Sequence, residues 1–236
     1  MLVVTVEAIA RRIVSGQVPI GGILPNETDI VEELGVSRTV VREAVRTLVA
    51  KGMLRTRRRL GTEVTPVESW SLFDRNVIDW RIRYDPDDKV LDDLVDFVLA
   101  VEMIACGRAA EDDSFDRAAL KLAFERMEAA NTADREELAN VEYRFHHTLI
   151  DGANNQFCGH VYGVIETALS TFMSPLFLDA DSHTEALGDH RTLTEAILRG
   201  DAASARGAIE RLGHLRRRNL RQALRARRND AKPRNR

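Results

Sequence analysis

The sequence predicts a mainly α-helical protein: an N-terminal winged helix-turn-helix domain followed by a C-terminal antiparallel α-helical bundle. Three helix-patterned segments and two short strand-like segments occupy the first 65 residues. From about Leu72 to Ala226, apolar residues recur at intervals of three and four, with no alternating run typical of a strand. Basic residues are concentrated in two stretches of a chain whose net charge is only −3.

The N-terminal segments have clear helix boundaries. A first helix is predicted over about residues 4–14, and the Gly- and Pro-containing stretch GQVPIGGILPN ends it. Asn26 is a suitable N-cap for a second helix, which Gly35 ends. Ser37 caps a third helix that runs to about Lys51. The segments MLRTR and TEVTP then predict two strands joined by the basic turn RRLG, which completes a winged-helix architecture.

The third helix carries basic side chains opposite its apolar stripe. Arg38 and Arg42 are four residues apart and therefore lie on one face. Helix-turn-helix proteins place such a helix in the major groove of DNA, where an arginine binds guanine in a bidentate manner or holds a phosphate. The candidate DNA-binding residues of this helix and of the wing are Ser37, Arg38, Thr39, Arg42, Arg46, Arg58, Arg59 and Gly61.

The distribution of charge favours a polyanion as the partner of the N-terminal domain. Residues 1–65 have a net charge of +3, residues 66–215 a net charge of −15, and residues 216–236 a net charge of +9. Residues 36–60 contain eight basic side chains and one acidic side chain. A solvated helix face usually mixes both signs, so this excess indicates binding to double-stranded DNA. The basic C-terminal end is expected to be solvated, with auxiliary phosphate contact as the alternative.

Composition points to a cytoplasmic protein. No apolar run approaches the roughly 20 residues that a membrane-spanning helix needs, and the N-terminus lacks the pattern of a signal peptide. Cys106 and Cys158 are too few for a disulfide framework and too far apart for a CxxC site. We therefore expect no membrane partner.

The N-terminal motifs resemble the winged-helix domain of the GntR family of bacterial transcription regulators. The stretch GGILPNETDIVEELGVSRTVVREAVRTLVAKGMLRTRRRLGTEV is similar to the family pattern over about 45 residues. Two positions depart from it: Thr28 stands where the family often has an arginine, and Arg59 stands where the wing tip usually has glycine. The resemblance implies a homodimer that binds a palindromic DNA operator.

Three residues of the helical domain are candidates for a metal site. Glu142 and His146 are four residues apart and border an apolar stripe, and His190 lies within the apolar stripe of another predicted helix. A carboxylate and two neutral imidazoles that converge inside a bundle would bind a first-row divalent metal such as zinc, nickel or manganese. The alternative is that both histidines are hydrogen-bonded core residues.

The helical domain resembles the effector domain of the FadR-like branch of the GntR family, the FCD domain. The segments EYRFHHTL and HRTLTEAILRGD, together with Asn155, are similar to its motifs. Many members bind a metal through an acidic residue and three histidines, and the resemblance assigns Glu142, His146 and His190 to the first three of these positions. It also implies a small-molecule effector, such as a sugar acid or another organic acid.

The fourth ligand position is altered. Leu212 stands where the last histidine is expected, and His214 lies on the opposite side of the predicted helix, beside Arg217 and Arg218. We therefore expect His214 to be solvated, with water or effector completing a three-ligand shell. Val98 stands where the family often has an arginine for an acidic effector.

The sequence thus predicts a ligand-responsive transcription regulator, with repression as the expected mode and no catalytic residues. The expected domains are a winged helix at 1–66, a linker and lead-in at 67–85, an effector-binding and dimerisation domain at 86–227, and a disordered basic tail at 228–236. Trp70 and Trp80 either pack one domain against the other or belong to an ordinary core. The two alternatives to this function are a metal-dependent helical enzyme and a DNA-binding protein without an effector.

Overall fold

The computed structural model describes residues 1–85, 87, 89–165 and 180–230, with side chains described as far as residue 222. The chain divides into two compact units, Met1–Asp87 and Asp88–Arg236. Every helix within the described ranges is too short or too polar to span a bilayer.

The N-terminal unit is a winged helix-turn-helix. Its elements in chain order are α1 (Leu2–Val14), α2 (Glu27–Leu34), α3 (Arg38–Ala50), β1 (Leu54–Arg57), β2 (Gly61–Val64), a short 3-10 turn (Val67–Ser69) and α4 (Arg75–Tyr84). The predicted caps are present: the Asn26 side chain accepts hydrogen bonds from the amides of Thr28 and Asp29, and that of Ser37 accepts one from Val40. Gly35 ends α2 in the left-handed conformation, with φ of 62°.

The wing is an antiparallel pair of four-residue strands. Leu54 lies opposite Val64, and Arg57 lies opposite Gly61. The chain before α2 adds a short third edge, because the Leu24 amide donates to the Thr62 carbonyl at 2.8 Å. The wing is therefore tied to the start of the helix-turn-helix by backbone hydrogen bonds.

The core of this unit includes residues that we expected to form the linker. Trp70, Val77 and Trp80 are buried in the same apolar cluster as residues of α1 and α3. The Trp70 indole donates to the Thr65 carbonyl at 3.1 Å. Both tryptophans are thus core residues of the N-terminal unit, which decides between the two roles considered for them. Gly52 is required at the end of α3, because a Cβ there would lie 2.0 Å from the Ser69 carbonyl oxygen.

The C-terminal unit is built from helices throughout its described residues. They are α5 (Lys89–Glu111), α6 (Arg117–Glu128), α7 (Arg135–Gly152), α8 (residues 156–165), α9 (Ala180–Leu198) and α10 (Ala202–Asp230). Helix α5 packs against α7, α9 and α10, while α6 packs against α7 and α9. Because α5 contacts three other helices, its inward face lies at the centre of the bundle.

The bundle core is formed by apolar side chains at the predicted spacing. Leu138, Phe145 and Leu149 of α7 and Leu193 and Ile197 of α9 are fully buried. The C-terminal end differs in part from expectation, since α10 continues to Asp230 through the first residues of the expected tail. The remainder of that tail, residues 231–236, lies outside the described residues.

Candidate functional site

Helix α3 presents its polar face to solvent. Arg38, Thr39, Arg42 and Arg46 are exposed, while Val41, Ala44 and Leu48 on the opposite face are fully buried in the core. The apolar face therefore fixes the orientation of the helix, and the basic face is left available for a ligand.

Two arginines of α3 are held by carboxylates. Arg42 Nε donates to Glu27 Oε2 at 2.9 Å, which links α3 to the first residue of α2. Arg46 Nη1 donates to Glu43 Oε1 at 2.5 Å within α3 itself. Arg38 forms no ion pair with any described residue.

The tip of the wing is basic and exposed. Arg58, Arg59 and Leu60 are exposed, and Gly61 opens β2 with φ of 104°. Arg59 has φ of 68°, a left-handed conformation that is unfavourable for a residue with a Cβ and natural for glycine. The turn thus keeps the backbone conformation of a glycine turn while carrying an arginine. Further down the wing, Glu63 pairs with both Arg55 and Arg57.

In the C-terminal unit, the side chains of Glu142, His146 and His190 converge. The Nε2 atoms of the two histidines are 3.3 Å apart, and each lies 3.4 Å from Glu142 Oε1. Both imidazoles are buried, and the Phe145 ring packs against each of them nearly at a right angle. The three potential ligand atoms form a nearly equilateral triangle. Ligand atoms about 2.0–2.2 Å from a tetrahedral zinc ion are separated by about 3.3–3.6 Å.

The far side of each imidazole faces a hydrogen-bond acceptor or a carboxylate. His190 Nδ1 lies 2.9 Å from the Ala186 carbonyl oxygen, so Nδ1 donates to it, and the neutral imidazole that binds a metal would do so through Nε2. His146 Nδ1 lies 3.0 Å from Glu102 Oε1, a distance that suits an ion pair although the angle is poor for a hydrogen bond. Such partners orient histidine ligands towards metals in proteins.

Glu102 is the site residue that sequence reasoning missed. It is fully buried, and both of its oxygens accept hydrogen bonds from Arg216 of α10, at 3.0 and 3.1 Å. The Tyr162 hydroxyl donates to Glu102 Oε1 at 3.2 Å. Glu102 recurs at helical spacing with the buried residues Val98 and Ala105, within the apolar stripe of α5. A carboxylate in such a stripe requires a buried cation, and that requirement was the available signal.

Arg216 was missed for a different reason. We had treated it as part of the basic C-terminal stretch, yet it lies one helical turn after Leu212 on the inward side of α10. Its Nη2 atom is 3.4 Å from His146 Nε2. A guanidinium, which cannot act as a metal ligand, therefore stands beside the triangle.

The two buried carboxylates of the cluster are stabilised in their ionised form by the neighbouring basic side chains. Burial raises the pKa of Glu142, but the two histidines lower it well below its usual value. Burial likewise raises the pKa of Glu102, and Arg216 and His146 more than offset this, so that its pKa is lowered. Burial lowers the pKa of His146, whereas Glu102 and Glu142 raise it to about 9. The two carboxylates are therefore ionised.

One carboxylate oxygen of the cluster lacks a hydrogen-bond partner among the described residues. Glu142 Oε2 is buried and accepts no hydrogen bond from any described residue. A buried unpaired carboxylate oxygen is costly, and a bound cation would satisfy it. The donor set of one carboxylate and two imidazoles suits zinc and similar first-row ions.

The residues at the two positions that depart from the family pattern, and His214, are buried or exposed as the predicted helix register requires. Leu212 and Val98 are buried apolar residues, and His214 is exposed. Within the described residues, the cluster that could hold a metal therefore has three side-chain ligands, Glu142, His146 and His190.

Family models match both units. Residues 4–64 match the model for bacterial regulatory proteins of the gntR family, and residues 93–231 match the FCD domain. Among curated sequences, the chain is 30% identical over 211 residues to the uncharacterised HTH-type transcriptional regulator YieP of Escherichia coli, covering 89% of this chain and 90% of that protein. It is 28% identical over 206 residues to the galactonate operon transcriptional repressor of E. coli, covering 85% and 88%.

Solved structures show the same fold. The chain aligns with Lar, which controls the expression of the Listeria monocytogenes agr system, with a TM-score of 0.62 and 18% identity, covering 94% of this chain and 97% of that one. The proteins to which the chain is similar are transcription regulators, not enzymes. The chain therefore belongs to the GntR family of bacterial regulatory proteins, and it combines the family's DNA-binding domain with an FCD domain.

Proposed function

We propose that this regulator is a cytoplasmic, dimeric repressor that binds a palindromic operator and releases it in response to a small organic acid. The observation that carries the proposal is the exposed basic face of α3, which follows a short turn and stands on a buried apolar face. Helix-turn-helix dimers gain specificity by placing two such helices in major grooves about one helical turn apart.

The proposed DNA contacts divide between α3 and the wing. Arg38, Thr39 and Arg42 are closest to the N-terminal end of α3, where base contacts are usually made. Ser37 and Arg46 flank this group. Arg58, Arg59 and Gly61 form the wing tip, where their exposure and charge suit the phosphate backbone. Glu43 and Glu63 reduce the charge of the neighbouring arginines.

The proposed metal ligands are Glu142, His146 and His190. A bound zinc, nickel or manganese ion would offer an open coordination position to a carboxylate or hydroxyl oxygen. The Glu102 carboxylate faces Nδ1 of His146, which leaves Nε2 of His146 directed at Glu142. Arg216 fixes Glu102 through two hydrogen bonds. The near-equilateral triangle and the unpaired Glu142 Oε2 support this role. A DNA-binding protein without an effector would not need this polar cluster at the centre of its bundle.

The proposed control is a coupling between two binding equilibria. An effector that binds one arrangement of the dimer better than another shifts the population towards it, and with it the separation of the two winged helices. An anionic effector suits the site, because the positive charges of a divalent metal and Arg216 together outweigh the negative charges of the two carboxylates, Glu102 and Glu142. Repression is proposed by analogy with relatives that are named as repressors.

A selection from randomised DNA tests the proposal. The full-length protein is incubated with duplexes that contain a randomised central stretch, and the bound fraction is sequenced over several rounds. We expect an inverted repeat to be enriched. Transcription in vitro from a promoter that overlaps the selected sequence should then fall as protein is added. Failure to enrich any sequence would contradict the proposal.

A further inference from the structure

We propose that Glu27 is a positioning residue that makes Arg42 a base-reading arginine instead of a phosphate-binding one. Glu27 thereby determines base selectivity without itself being a DNA contact. The inference rests on the proposed function, in which the exposed face of α3 enters the major groove.

The geometry links two helices. Glu27 is the first residue of α2, and Arg42 lies one turn into α3, 15 residues later. The Arg42 side chain is 61% exposed and that of Glu27 is 46% exposed. An exposed ion pair of this kind contributes little to stability. Its main consequence is therefore the placement of the guanidinium.

The hydrogen bond to Glu27 leaves the two terminal nitrogens of Arg42 available to a DNA base. Glu27 occupies the Nε donor, and no described residue accepts a hydrogen bond from the two terminal nitrogens. Arginine recognises guanine through two parallel N–H donors directed at O6 and N7. A guanidinium already held in one orientation loses less side-chain entropy on binding, so the tether favours the contact that needs a fixed direction.

The charge of Glu27 also acts against phosphate binding. A carboxylate 2.9 Å from the guanidinium largely cancels its charge at the distance of the DNA backbone. The carboxylate itself is repelled by phosphates. Without Glu27, Arg42 would have full charge and free rotation, and both changes favour phosphates over a particular base.

The other arginines of α3 are held differently. Arg46 pairs with Glu43 three residues earlier in the same helix, so that pair moves with α3 alone. Arg38 has no ion-pair partner among the described residues. Of these three arginines, only Arg42 is held in a position that is fixed relative to both α2 and α3. The inference therefore predicts that the effect of losing Glu27 is confined to one base position per half-site.

The test compares base preferences of full-length variants in the randomised-duplex selection at fixed salt. Glu27→Gln should reduce the preference at one position by at least about fivefold, the lower end of what a bidentate arginine–guanine contact contributes. Arg42→Ala should abolish the preference at the same position. Glu32→Gln is the matched control, because Glu32 is an exposed acid of α2 without an ion pair to any described residue; it should raise general affinity and leave every preference intact.

A second variant distinguishes loss of the ion pair from loss of folding. Glu27→Asp retains the negative charge at the start of α2 but shortens the side chain by one methylene, so it should also weaken the preference while the melting temperature is unchanged. In the Arg42→Ala background, Glu27→Gln should have no further effect on preference.

The outcomes separate the inference from the proposed function. If Glu27→Gln behaves like Glu32→Gln while Arg42→Ala loses the preference, Arg42 reads a base and the inference is wrong. If Arg42→Ala keeps every preference, the proposed base contact by Arg42 is wrong. If Glu27→Gln and Arg42→Ala lose the preference at the same base position, the result supports both the role of Glu27 and the base contact by Arg42.

Discussion

At the scale of single residues, the buried cluster is organised by Glu102. It holds Arg216 through two hydrogen bonds and faces His146 on its other side, so that its charge is shared between two cations. Removing one partner of a buried ion pair leaves an uncompensated charge and typically costs about 3–5 kcal/mol. Replacement of either Glu102 or Arg216 alone should therefore destabilise the bundle.

The proposed ligands make a direct prediction about metal content. His146→Ala and His190→Ala should each lower the bound metal measured by elemental analysis after reconstitution with zinc or nickel, since each removes one of three ligand atoms. They should also reduce the increase in melting temperature on adding the metal. His214→Ala, which changes an exposed histidine, should behave like the wild type. Wild-type metal content in both buried variants would leave these histidines as core residues.

The pKa of His146 predicts the pH dependence of the site. In the metal-free protein the raised value of about 9 means that the folded state binds a proton more tightly than the unfolded state, whose histidine has a pKa of about 6.5. The resulting stabilisation is complete below about 6.5 and is lost as the pH rises through 9. Metal must displace the proton, so metal affinity should rise about tenfold per pH unit from 7 to 8.5.

Melting temperatures in a chelator and in buffered nickel check this. With chelator the melting temperature should fall as the pH rises from 7 towards 9, and the shift caused by nickel should grow. His146→Ala should abolish the pH dependence of the nickel effect in this range. A metal affinity that levels off above about pH 6.5 would show that His146 has an ordinary pKa.

Arg38 makes a prediction about DNA recognition. Arg38→Ala should weaken binding to the selected sequence by about 1–3 kcal/mol and relax specificity at one position if Arg38 contacts a base. If it contacts a phosphate, all sequences should weaken alike and the salt slope should fall by about 1. A titration against salt with selected and scrambled duplexes distinguishes the two. Unchanged binding to both duplexes would remove Arg38 from the interface.

At the scale of elements, local signals account for the helix-turn-helix and tertiary contacts account for the rest. The caps at Asn26 and Ser37 were predictable because each involves residues within three positions of one another. The burial of Trp70 and Trp80 depends on α1 and α3, so the sequence alone left their role open. Glu102 and Arg216 meet across 114 residues, a separation at which no spacing rule operates.

The left-handed Arg59 at the wing tip makes a prediction about stability and DNA binding. Arg59→Gly should leave the melting temperature unchanged or slightly higher, because relief of the left-handed conformation, about 1–2 kcal/mol, is offset by the greater freedom of glycine in the unfolded chain. Binding to DNA should weaken, with a salt slope lower by about 1. Arg59→Lys, which keeps both the charge and the Cβ, should retain the salt slope. Equal slopes for Arg59→Gly and the wild type would show that the wing tip does not contact phosphate.

At the scale of the whole molecule, the charge segregation seen in the sequence agrees with the division into two units. Basic residues are concentrated on α3 and the wing, whereas acidic residues predominate in the bundle and pair in part with arginines of α10. Arg221 binds Asp92 at 2.5 Å, and Arg217 and Arg218 pair with Asp96 and Glu185. Arg217, Arg218 and Arg221 are thus held by acidic residues of the bundle, which favours a structural role for these three arginines over phosphate contact.

Dimeric, sequence-specific binding is tested by an equilibrium titration of three duplexes with the full-length protein at one salt concentration. The duplexes are the selected inverted repeat, one half-site of it in random flanks, and a scrambled sequence. A dimeric reader should bind the inverted repeat at least about 10³-fold more tightly than the scrambled duplex, with the half-site much weaker than the repeat. Equal affinity for all three duplexes would show that this protein is not a sequence-specific, dimeric DNA-binding regulator.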